Sequence, residues 1–87
     1  MPRVLLPTET SGTFQTRASG WFIAEIQDWQ AQVSVELKYL ETEGKPVEFV
    51  ELFTFNDSGA KTFLMMSGRL LRISTTTPGA IGWINPI

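Results

Sequence analysis

Residues 33 to 39 read Val33-Ser-Val-Glu-Leu-Lys-Tyr39, with Val33, Val35, Leu37 and Tyr39 on one parity and Ser34, Glu36 and Lys38 on the other. Side chains of an extended chain alternate between faces, so this pattern belongs to a strand with one face on a core and the other in solvent. The stretch Gly20-Trp-Phe-Ile-Ala-Glu-Ile26 precedes it, rich in aromatic and β-branched residues and bounded by Ser19-Gly20 and Gln27-Asp28. It reads as a second strand. In Pro46-Val-Glu-Phe-Val-Glu-Leu-Phe-Thr-Phe55, Glu51 interrupts the apolar parity of Val47, Phe49, Phe53 and Phe55. Such a strand is either central with both faces covered or carries a β-bulge near Val50 and Glu51, and the bulge is preferred because it switches the alternation and keeps that carboxylate out of the core.

Turn signals divide the rest. Asn56-Asp57-Ser58-Gly59 is the strongest and is expected to close a hairpin with the strand Ala60–Met66. Ser67-Gly68 ends that strand, Arg69–Thr75 forms the next, Thr76-Thr77-Pro78-Gly79 turns again, and Ala80–Ile84 is the last. An early strand is expected over Thr13–Ala18. Seven short strands at intervals of about 8–12 residues predict an all-β, single-domain antiparallel β-sandwich, of jelly-roll or immunoglobulin-like order. A helical reading of Phe22–Val33 lacks a suitable cap and is broken into polar pieces.

At 87 residues the chain has material for one core. The first eleven residues stand apart. Pro2 and Pro7 hold Arg3-Val-Leu-Leu6 extended, and Thr8–Gly12 is a polar hinge. The expected organisation is an extended N-terminal arm over 1–11 and a β-sandwich over 12–87. Such an arm either docks on a neighbouring subunit, covers one end of its own sandwich, or frays. The N-terminus has only three apolar residues before Pro7 and does not read as a secretory signal. No stretch reaches the length needed to span a bilayer.

Composition removes most chemistry. There is no His and no Cys, so the usual general base, thiol nucleophile and many metal ligands are missing. Nine acidic and seven basic residues leave a net charge of −2, with the cations dispersed. Nucleic acid is an unsuitable partner for such a chain. Glu36, Glu48 and Glu51 fall in strands and Glu41 and Glu43 in a polar loop, with no context for a paired acid and base. Asp28, Asp57, Glu41 and Glu43 match no calcium-loop spacing. The expectation is therefore no enzyme activity, no catalytic residue, no cofactor and no metal.

The remaining candidates are apolar. Trp21, Trp29 and Trp83 fill the core, anchor a protein interface, or form a platform for sugar rings. Trp21 is followed by Phe22, so one ring of the pair points inward and the other outward, and Met65 and Met66 divide likewise. The candidate interface residues are Val4, Leu5 and Leu6 of the arm, Trp21, and Trp83, Ile84 and Ile87 at the apolar C-terminal end. If the arm docks, Val4→Asp or Leu5→Asp abolishes assembly and leaves the monomer folded.

Ser19-Gly20-Trp-Phe-Ile23, Ile26-Gln-Asp-Trp29, Val33-Ser-Val-Glu-Leu37, the segment with Phe53 and Phe55, and Ser67-Gly68-Arg-Leu-Leu-Arg-Ile-Ser74 follow one another in a characteristic order. In this order the chain resembles small all-β virion structural proteins of tailed bacteriophages, over roughly residues 12 to 84. Leu71 stands where an aromatic residue is common in that pattern. The resemblance implies a non-enzymatic protein that oligomerises, as a trimer or higher, and binds other virion structural proteins. It would stabilise a capsid or its neck as a decoration or cement protein, or as a head-to-tail or fibre-attachment component. Assembly would occur in the host cytoplasm, with no nucleic-acid or membrane partner. The competing expectation is a small carbohydrate- or ligand-binding sandwich that uses exposed tryptophan.

Overall fold

The computed structural model describes residues 3–38 and 48–87. It contains eight strands and, among the described residues, no helix: β1 (Arg3–Leu5), β2 (Ser11–Gln15), β3 (Gly20–Gln27), β4 (Val33–Lys38), β5 (Phe49–Phe55), β6 (Gly59–Met65), β7 (Leu70–Thr75) and β8 (Ile81–Pro86). They form two four-stranded antiparallel sheets, β1-β8-β3-β6 and β2-β7-β4-β5. The pairs β4–β5, β3–β6, β2–β7 and β1–β8 nest inside one another. The chain is thus one long hairpin rolled so that successive pairs alternate between sheets, which is jelly-roll connectivity rather than the immunoglobulin order.

Two expectations are corrected by this winding. Asn56–Gly59 reverses the chain, but β5 pairs with β4 and β6 with β3, so the turn crosses from one sheet to the other and closes no hairpin. The proline-bracketed start is not an arm: Arg3–Leu5 is a strand on the edge beside β8. Val4 is 7% exposed and Leu5 is fully buried in the chain's own core. An aspartate at Leu5 would bury an unpaired charge and unfold the monomer, contrary to the arm reading.

The bulge lies where the alternation demanded one. Val35 opposes Phe53 and Glu36 opposes Glu51, leaving Leu52 as the extra residue of β5. It turns Phe53 and Phe55 inward and puts Phe49 and Glu51 on the outer face. There Glu51 accepts a hydrogen bond from the Ser34 hydroxyl at 2.9 Å.

The core is built from inward residues of both sheets, chiefly Leu5, Phe22, Ala24, Ile26 and Ile84 against Val33, Val35, Phe55, Leu71 and Ile73. Phe14, Phe22, Phe63, Phe53 and Phe55 form a continuous aromatic run with centroids 5.4–6.3 Å apart. Trp29 closes one end, its indole N–H donating to the Phe55 carbonyl at 2.9 Å. At the other end the buried Thr16 hydroxyl donates to the Met66 carbonyl at 2.7 Å and accepts the Arg69 N–H at 2.9 Å. Lys61 points inward from edge strand β6, donates to the Thr54 carbonyl at 2.8 Å, and lies over Phe55. An inward-turned edge lysine discourages strand addition on that side.

Candidate functional site

The two outer faces differ in chemistry. On the β2-β7-β4-β5 sheet, Glu36 on β4 and Arg72 on β7 are register partners and make a two-pronged ion pair, Nε to Oε1 and Nη2 to Oε2, each 3.0 Å. The Ser74 hydroxyl also donates to Glu36, and the Arg72 guanidinium stacks 4.0 Å above the Phe49 ring. Ser34, Thr13 and Ser11 occupy the same face by register. Arg72 foremost, with Ser74, holds the Glu36 carboxyl below the usual carboxylate range even though burial opposes this. Glu36 in turn raises Arg72. Glu36, Arg72 and Ser74 thus satisfy one another across this surface.

The outer face of the β1-β8-β3-β6 sheet carries large apolar side chains among a few polar ones. On β3 the buried inward set is Phe22, Ala24 and Ile26, so Trp21, Ile23 and Glu25 point outward. Leu64 faces Trp21 on β6, Asn85 faces Ile23 on β8, and Trp83 faces both Glu25 on β3 and Arg3 on β1. Ile81 lies further along β8 on the same face, and Ile87 follows it, tied by its N–H to the Trp21 carbonyl at 2.9 Å. Trp21, Leu64 and Ile87 are 56%, 64% and 76% exposed. A solvated antiparallel face normally alternates to polar residues, and a concentration of exposed apolar side chains of this kind marks an interaction site.

The seven sequence candidates separate accordingly. Trp21, Trp83 and Ile87 come together on this face. Leu6 is exposed elsewhere, in the turn after β1 where its N–H donates to the Glu9 carboxylate. Val4, Leu5 and Ile84 are buried in the core and present nothing to a partner, Val4 falling at the register shift between Arg3 and Leu5. Reasoning from the sequence missed Ile23 and Leu64 as members of this face, while Ile81 belonged to the apolar C-terminal end it singled out. The signal for Ile23 and Leu64 was the parity opposite Phe22 and Phe63, readable only once the inward set is known. The Trp21–Phe22 and Met65–Met66 pairs divide as expected, with Phe22 and Met65 packed inward and Trp21 and Met66 exposed.

Chemistry of other kinds gains no geometry. Among the described residues no three Asp or Glu side chains gather to hold a metal ion, and Glu41 and Glu43 lie outside the described residues. Asp57 caps the neighbouring Ser58 N–H at 2.8 Å, and the Ser58 hydroxyl accepts the Trp29 N–H at 3.0 Å, so this loop is spent on its own backbone. Compared with known proteins, the chain matches no family model, no curated protein and no solved structure.

Proposed function

We propose that this chain is a non-enzymatic structural protein that works by self-association, of the kind that decorates a bacteriophage capsid or joins its neck or fibres. The observation that carries the reading is the apolar outer face bearing Trp21, Ile23, Leu64, Trp83 and Ile87. It contrasts with the more polar outer face of the other sheet, where Glu36, Arg72 and Ser74 pair with one another. A thin sandwich that leaves a cluster of large apolar side chains exposed on one face is completed by a partner, and repeated copies in a shell supply one. The resemblance to small virion proteins supplies the setting. Absence of His and Cys, with carboxylates dispersed or already paired, accords with a role in assembly rather than turnover.

The test is absolute mass by light scattering across a concentration series. The expected result is a mass above the 9.8 kDa of one chain, and loss of it in Trp21→Asp with the melting temperature kept. A wild-type protein that remains at 9.8 kDa throughout, while soluble oligosaccharides quench its tryptophan emission, would overturn the reading. That result would favour the sugar-binding module instead.

A further inference from the structure

We infer that two copies of this chain pack these apolar faces together about a two-fold axis running along β8, each Arg3 lying over Glu25 of the other copy. This rests on the self-association proposed above and names its contact. Arg3, Trp83 and Glu25 form one row across the sheet, because Trp83 is the register partner of Arg3 on β1 and of Glu25 on β3. The two charges therefore flank the indole about 10 Å apart, two interstrand spacings. Among the described residues neither has an ion-pair partner in its own chain. Among the described residues Glu25 accepts a hydrogen bond only from the Gln27 amide, at 3.1 Å.

A row ordered cation, aromatic, anion is complementary to itself when its ends are exchanged. Rotation by half a turn about an axis along β8, in the plane of contact, makes that exchange: β1 of one copy comes over β3 of the other and the two Trp83 rings meet. The contact is isologous and closed, and sheets packed face to face keep their strands nearly aligned. The occupant is a second copy because the charge pattern that it must match is the pattern of this same face. This contact makes a closed pair, rather than a trimer, the unit in solution.

The test uses full-length Arg3→Glu and Glu25→Arg, alone and mixed, in native mass spectrometry and sedimentation equilibrium. Each variant alone brings like charges together twice, so its dimer dissociation constant is expected to rise about tenfold or more. The equimolar mixture restores both pairs, so a heterodimer at twice the 9.8 kDa chain mass should return near wild-type affinity. Circular dichroism melts equal to wild type establish that both variants fold. Wild-type dimers with both variants dimerising unchanged would overturn this geometry and leave self-association standing. Variants that stay monomeric alone and mixed would also overturn it. A wild type that forms only trimers or larger assemblies would overturn the contact and leave self-association standing, whereas one that stays monomeric throughout would overturn the contact and the functional reading together.

Discussion

Gly12→Ala is the most informative single change, because it asks whether the first residues belong to the fold. Gly12 lies in β2 directly under β1, and a Cβ placed on it would stand 1.6 Å from the Val4 carbonyl oxygen and 2.7 Å from its carbon. Both obstacles are backbone, so no rotamer change relieves the clash. β1 has to leave, and with it the burial of Val4 and Leu5. Full burial of such side chains contributes about 1.5–3 kcal/mol each. Allowing for a compact unfolded chain, the loss is about 2–5 kcal/mol. A domain of this length has only about 4–13 kcal/mol in total, so Tm should fall by about 10–30 °C. The assay is urea unfolding followed by tryptophan emission, with Thr13→Ala, exposed beside it, as a control expected within about 0.5 kcal/mol. A double-mutant cycle sharpens it: Leu5→Ala should cost about 2–5 kcal/mol in wild type and almost nothing in Gly12→Ala, where β1 is already displaced. Gly12→Ala as stable as wild type, with Leu5→Ala equally costly in both backgrounds, would refute the seating of β1.

Thr16→Val should destabilise by about 2–3 kcal/mol, since it strands the Arg69 N–H and the Met66 carbonyl that the hydroxyl now serves. Thr16→Ser should keep nearly all of that stability, and equal melts for the Val and Ser variants would show the latch to be idle. Glu36→Gln should change the acid limb of stability. The Glu36 carboxyl is held low by Arg72 in the folded protein, so its contribution is complete above the unfolded carboxylate pKa of about 4.3 and is lost as pH falls below that. Between about pH 5 and pH 3 the wild-type Tm should therefore fall further than that of the variant. Parallel curves would count against it.

Much of the strand layout was legible. Alternation in Val33–Lys38 and the aromatic run from Gly20 located β4 and β3 because period-two burial leaves its mark wherever one face is wet. Glu51 announced the bulge because an inward carboxylate lacks a partner, and the structure puts the extra residue at Leu52. β1 was hidden because three residues are too short to show a period, and two prolines nearby read as a linker. Part of the expected loop, including Glu41 and Glu43, lies outside the described residues.

By itself the sequence determined an all-β chain, the positions of six strands and the places where the chain reverses, since each depends on residues near one another along the backbone; the early strand expected over Thr13–Ala18 lies instead at Ser11–Gln15. It also limited the chemistry, since a chain without His or Cys cannot recruit them. Only the tertiary structure decided which sheet each strand joins. The Asn56–Gly59 turn has the same local chemistry whether it closes a hairpin or crosses the sandwich, and partner choice is made by the burial of residues far apart in sequence. The candidate interface follows from that choice: Arg3, Trp83 and Glu25 stand in one row because β8 pairs with both β1 and β3, a juxtaposition of three distant segments with no local signature.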